Sequence, residues 1–228
     1  MNVIIAGATG DIGKAIAKAL SSEHNLLLLY RDEAKRKILE RDLKATNIQF
    51  FSIKDLFQKS ESVLSEFTTF SPDAFINAIG DGFYAKVEET TLEIIDASYE
   101  ANFKVPFYLT QIVYKVFLNQ KRGYIIFINS VSGLEGFPYG VAYCSFKFAL
   151  RGLAEVMYKE GKRYGIKVST VYPGIVKTRL LQKMPFLPKE KDLLPPEEVA
   201  KAVKYLLTLH PTAEVKDLVL KNKELSWR

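Results

Sequence analysis

The chain has 228 residues, 48% of them hydrophobic, enough for one sizeable core. No apolar run approaches the ~20 residues that span a bilayer, and the single cysteine, Cys144, allows no internal disulfide, so a soluble cytoplasmic protein is expected. The net charge of +6 comes from lysines scattered between Lys14 and Lys223, with no basic cluster and no zinc spacing, which argues against a nucleic-acid partner.

Strand-like and helix-like segments alternate along the chain. The first residues enter a short β-branched run at 2–6, with no basic leader before it. Residues 11–22 carry Ile12, Ala15, Ile16, Ala19 and Leu20 at helical spacing. Residues 26–30 form a continuous apolar run, as in a strand buried on both faces. A charged helix is predicted over 32–43, a strand over 48–53, a helix over 59–67 and a strand over 73–77. Residues 92–118 read as one long helical stretch broken near Pro106. A strand at 123–128, a helix at 141–163 and a strand at 166–172 follow. Pro196 opens another helix, where its missing N–H costs least, and 217–220 is a last strand. This alternation predicts a single-domain, doubly wound α/β fold over 1–228. Its parallel sheet has about seven strands, with helices on both faces. The irregular, proline-rich stretch 179–195 is expected to be a substrate loop or lid.

Gly7, Gly10 and Gly13 lie between the first strand and its helix. Glycine lets the backbone approach a pyrophosphate closely, and the helix N-terminus supplies N–H groups and a positive dipole end. A carboxylate for the ribose hydroxyls is expected about 20 residues further on. Here Tyr30 ends the second strand and Arg31 follows. A guanidinium there can take a 2′-phosphate, which favours NADP(H), with NAD(H) the alternative.

Tyr-x-x-x-Lys is a cheap pattern: 12 tyrosines and 24 lysines in 228 residues give about 1.3 matches by chance. The chain holds two, Tyr143/Lys147 and Tyr158/Lys162, and each has a serine thirteen residues before its tyrosine. Context separates them. Ser130 follows a predicted strand, so its hydroxyl emerges at the sheet edge where such folds bind ligands. Ser145 lies inside a predicted helix, which makes Tyr158/Lys162 a surface pair. A phenol titrates near ~10, and a lysine one helical turn away is expected to draw it toward neutrality. Tyr84, Phe137, Tyr139 and the loop 180–187 can line an apolar pocket or serve as packing residues.

These residues together resemble the short-chain dehydrogenases/reductases. The resemblance runs from Val3 to about Leu220. It rests on the turn Gly7–Gly13, Asn77-Ala-Ile-Gly80, Asn102, Ser130, Tyr143/Lys147 and Pro173-Gly174, in that order and with the family's thirteen-residue serine-to-tyrosine spacing. It implies a Rossmann-like oxidoreductase, often a homodimer or homotetramer, that exchanges hydride between a nicotinamide and a small carbonyl or alcohol substrate. Tyr143 would be the acid–base group and Ser130 would hold the substrate oxygen. Lys147 would bind the nicotinamide ribose and tune Tyr143, and Asn102 would position a water. The cofactor contacts implied are Gly7, Thr9, Gly10, Asp11, Ile12, Gly13, Arg31, Asn77, Gly80, Tyr143, Lys147, Pro173, Gly174 and Thr178, with Asp55 or its neighbour Lys54 at the adenine. Asp11 stands where many members carry glycine. A non-catalytic dinucleotide sensor would be free to lose Asn102, Ser130, Tyr143 or Lys147, and all four are present.

Overall fold

A computed structural model describes residues 1–43 and 45–226. One parallel sheet contains β1 (Asn2–Ala6), β2 (Asn25–Tyr30), β3 (Ile48–Ser52), β4 (Ala74–Asn77), β5 (Gly123–Ile128), β6 (Ile166–Pro173) and β7 (Asp217–Leu220), in the order β3-β2-β1-β4-β5-β6-β7. The doubly wound sheet read from the sequence is present with its seven strands. The chain moves outward from β1 to β3, then returns to the other side of β1 for β4. The β1/β4 boundary is therefore the switch point, where a crevice opens at the strands' C-terminal ends.

The helices are α1 (Asp11–Leu20), α2 (Glu33–Leu43), α3 (Ser60–Phe70), α4 (Leu92–Tyr99), α5 (Val105–Gln120), α6 (Val141–Gly161) and α7 (Pro196–Thr208). Side chains of successive strand residues alternate between faces. Ile4, Ala6, Leu27 and Leu29 accordingly pack with residues of α3, α5 and α6. Val3, Ile5, Leu26 and Leu28 pack with α1, α2 and α7. Both faces are covered, which is why the central strands are mostly apolar. Among the described residues no helix is long and apolar enough to cross a membrane.

Most boundaries lie within a few residues of those read from the sequence. The stretch 92–118 differs more. The break expected at Pro106 falls earlier, in a π-helical turn at Glu100–Lys104, and α5 resumes with Pro106 in its first turn. Pro106 has no N–H for the carbonyl of Asn102, four residues back. The helix absorbs the lost bond by widening, so the Val105 N–H donates to Glu100 O, five residues away. Asn102 sits in the middle of this turn. At the end of β4, Asn77 Nδ2 donates to Pro106 O and to Thr110 Oγ1, both at 3.0 Å, and ties the sheet to the first turn of α5.

Candidate active site

The first loop fits a dinucleotide. Gly7 has φ +81, and a Cβ on it would lie 2.6 Å from Ala78 O. A Cβ on Gly13 would overlap Gly7 O. The turn therefore closes only with glycine at both places, and α1 starts hard against the strand ends. Gly10 caps α1 without a side-chain bond, so the helix N-terminus keeps its positive end for an anion. Asp11, the departure from the family pattern, has its own partner. Its carboxylate accepts from Arg179 Nε at 3.0 Å and from the Arg179 N–H at 2.8 Å, while Arg179 Nη2 donates to Thr9 O at 3.3 Å. This ion pair binds the glycine turn to the segment that follows β6.

The four candidate catalytic residues gather from three elements. Ser130 follows β5, Tyr143 and Lys147 lie one turn apart on α6, and Asn102 comes from the π-turn. Ser130 Oγ accepts from the Ser132 N–H at 3.1 Å and donates to Ser132 Oγ at 3.0 Å. The Lys147 side chain is only 3% exposed, with Nζ 5.5 Å from the Tyr143 ring centroid. A Cβ on Gly80 would lie 2.9 Å from Lys147 Nζ and 3.1 Å from Asn102 Oδ1. The missing side chain at Gly80 is the space in which the ammonium and the amide approach each other. Asn102 is fully buried and holds the backbone of Asp81, accepting from its N–H at 3.1 Å and donating to its carbonyl at 2.9 Å.

A cavity of about 670 Å³ lies beside Ser130 and Tyr143. Ser130 and Tyr143 open into it, together with Ile12, Pro173, Gly174 and Thr178. Of the apolar residues noted in the sequence, Tyr84, Phe137, Leu180, Met184 and Phe186 line it. The Tyr84 ring lies 5.7 Å from that of Tyr143, whereas Tyr139 packs edge-on against Phe186, 5.2 Å between centroids. Sequence reasoning missed several wall residues. Ser132 is the partner of Ser130, and Asn129 Nδ2 donates to the Lys147 carbonyl at 3.1 Å. Their only signal was adjacency to Ser130. Asn222 and Leu225 reach the cavity from beyond β7 and had no sequence signal.

Other expected contacts lie apart from this cavity. Arg31 follows β2, beside the glycine turn's strand, and is exposed without an ion pair among the described residues. Its acidic neighbours are taken: Asp32 by Lys35 and Glu33 by Arg36. Asp55 is exposed and pairs with Lys59 at 2.9 Å. The side chain of Asn77 faces α5, as described above. The second motif is a surface cluster, in which Tyr158 donates to Glu214 at 2.9 Å and Lys162 lies over the Tyr158 ring.

Burial governs the protonation of the central pair. It pushes the Tyr143 phenol up to about 12, against a lowering hydrogen bond with Ser130. It drives Lys147 down to about 8. The sequence reading, in which Lys147 pulls the phenol toward neutrality, is corrected here. Desolvation dominates both groups. Between pH 8 and the lysine's ordinary 10.5, the unfolded chain binds a proton that the folded chain does not. Stability contributed at this site therefore rises with pH across that window, and the full penalty lies below it. Lys147→Met is expected to stabilise the fold at pH 7 by about 1–3 kcal/mol. The gain should fade by pH 10.5, as read by urea denaturation at both pH values. A gain that stays constant with pH would show that the ammonium carries no burial penalty.

Comparison with known proteins agrees with this geometry. A model of the short chain dehydrogenase family matches residues 1–185. An uncharacterised oxidoreductase of Staphylococcus epidermidis is 26% identical over 223 residues, covering 96% of this chain and 95% of the relative. Among solved structures, ElxO with NADP bound is 26% identical with a TM-score of 0.84, covering 97% of each chain. An alcohol dehydrogenase from the archaeon Thermococcus sibiricus, complexed with 5-hydroxy-NADP, is 27% identical with a TM-score of 0.83, covering 97% of this chain and 96% of that one. With the sheet order, the glycine turn and these matches in agreement, the chain belongs to the short-chain dehydrogenase/reductase family of NAD(P)-dependent oxidoreductases.

Proposed function

We propose that this protein is an NADP(H)-dependent oxidoreductase acting on an apolar carbonyl compound or secondary alcohol, with Tyr143 as the acid–base group. The observation that carries this reading is that Ser130 and Tyr143 share one largely apolar cavity with the turn 173–178, while Lys147 and Asn102 converge behind Tyr143 at Gly80. Bound in the crevice, the cofactor would supply or accept the hydride. The glycine turn and the α1 N-terminus would hold its pyrophosphate, Asp55 would lie at the adenine, Lys147 at the nicotinamide ribose, and Pro173, Gly174 and Thr178 at the nicotinamide. Ser130 and Tyr143 would both donate to the substrate oxygen. Preorganised donors of this kind stabilise a developing alkoxide before any proton moves. A phenol held near 12 keeps its proton at neutral pH, as a general acid for reduction must. Lys147, near 8, is poised to restore that proton, and the Asn102 carbonyl, without its helical donor, is an acceptor for a water in the relay.

The segment 179–195 serves as the lid in this reading, within a single unit spanning 1–228. Phe186, Met184 and Leu180 face the cavity from it. Arg179 pairs with Asp11, and Lys183 with Asp81 at 2.6 Å, so the lid is pinned to the loops on either side of the switch point. Support for NADP(H) comes from Arg31, which has no ion pair among the described residues, and from the NADP ligands named for the two solved relatives. The absence of a basic residue between Gly7 and Gly13 favours the alternative, an NAD(H)-dependent alcohol dehydrogenase.

Three outcomes are expected. Tyr143→Phe should leave cofactor binding within a few-fold and lower turnover by about 10² or more in a carbonyl panel followed at 340 nm. Tyr158→Phe is the control and should change little; near-wild-type turnover in Tyr143→Phe would remove the phenol from the mechanism. Arg31→Ala should weaken NADPH by about tenfold to several hundredfold, from one or two charge-assisted bonds worth roughly 1.5–3 kcal/mol each, and leave NADH nearly unchanged. Calorimetric titration that finds both cofactors weakened equally, or neither, would show that Arg31 does not select. Self-association is the third. Leu92, Tyr99, Phe148 and Val156 leave large apolar surface exposed on α4 and α6, with Tyr99, Phe103 and Phe107 stacked beside it. Light scattering at micromolar concentration should give at least twice the 25.8 kDa protomer mass, and a clean monomer would refute this.

A further inference from the structure

The family match ends at residue 185, yet one wall of the cavity comes from beyond β7. After Leu220 the chain turns back across the loop that follows β6, and Asn222 fixes it there. Asn222 Oδ1 accepts from the Ile175 N–H at 2.8 Å, and Nδ2 donates to the Ile175 carbonyl at 2.9 Å. The same Nδ2 donates to the carbonyl of Asp192 at 2.8 Å. The Gly174 N–H donates to Leu220 O at 2.7 Å, continuing the β6–β7 ladder by one bond. A Cβ on Gly174 would overlap Asn222 Oδ1, so glycine at 174 is what admits the amide.

This arrangement solves a backbone problem. The ladder stops at Leu220, and the next residues of the β6 strand line must still satisfy their N–H and carbonyl groups. One primary amide both donates and accepts, so Asn222 meets the Ile175 N–H as a neighbouring strand would and adds a second donor to the Ile175 carbonyl, which also accepts from the Leu194 N–H at 2.9 Å. Its third bond joins Ile175 to Asp192, at the far end of the lid. Ser226 strengthens that junction: its N–H donates to the Asp192 carboxylate at 2.8 Å, and its carbonyl accepts from the Lys189 N–H at 2.7 Å. The turn that Asn222 clamps lines the same cavity as Ser130 and Tyr143.

We propose that Asn222 is a positioning residue for the nicotinamide end of the cofactor. It acts through the backbone of Ile175, setting the 173–178 turn at the distance from Tyr143 that hydride transfer needs. The assignment rests on the cofactor reading above. It concerns only the nicotinamide half, because among the described residues the side-chain hydrogen bonds of Asn222 go to Ile175 and Asp192 and not to the glycine turn.

The test separates the two halves. The full chain, Asn222→Ala and Asn222→Asp are titrated with NADPH and with 2′-phospho-ADP-ribose, which keeps the adenine, ribose and pyrophosphate but lacks the nicotinamide. Asn222→Ala should weaken NADPH by about tenfold or more and leave the fragment within twofold. Asn222→Asp should weaken NADPH further, because its carboxylate would face the carbonyls of Ile175 and Asp192. Should Asn222→Ala not fold, Asn222→Gln, which displaces the amide by one methylene, is read against the same criterion. Equal weakening of both ligands would mark a general structural role and overturn the assignment, as would no change in either. A wild-type chain that binds neither ligand would overturn the cofactor reading, and the assignment with it.

Discussion

A lysine ammonium buried almost to exclusion is expensive, and the site is arranged around that expense. Lys147 reaches its place because Gly80 has no side chain there and because Asn102 turns its amide to the Asp81 backbone beside it. Asn102 in turn depends on the π-turn that Pro106 forces on the helix. Asn129 holds the main chain of Lys147 itself. Four segments distant in sequence thus converge on one charged group. Desolvation lowers the pKa of that group to about 8, far below that of an exposed lysine.

The same physics explains which features were legible in the sequence. Strands buried on both faces are mostly apolar, so residues 26–30 were readable as a strand. The turn around Gly7 and Gly13 was readable because no other residue closes it. Ser130 and Tyr143 were separable from Ser145 and Tyr158 because strand and helix contexts differ. The acidity of Tyr143 was not readable, since it depends on how much water the finished fold removes. The pairing of Asp11 with Arg179 was hidden because the partners are 168 residues apart. The place of the helix break was only approximately legible: Pro106 is visible, but which turn yields to it depends on packing against β4 and the Asp81 loop.

The segment after β6 and the sheet are held by different forces. The sheet rests on two apolar layers, with Ile4, Ile5, Leu26 and Leu28 fully buried. The 179–183 segment is held by ion pairs at Asp11 and Asp81, all four partners at least partly exposed. Exposed pairs of this kind are worth about 0–1 kcal/mol each and weaken with salt. These pairs are weaker fastenings than the apolar layers that hold the strands beneath them.

Open parallel sheets leave two edges, and those of this protein are poor templates for another strand. β7 has only four residues, with Lys216 immediately before it, Asp217 within it and Lys221 immediately after it. On β3, Gln49 and Ser52 are exposed, while Arg36 of α2 covers Phe50. Short, charged or covered edges discourage the strand addition that leads to aggregation. Both edges of the sheet are therefore closed to further strands by length, charge or cover rather than by a partner.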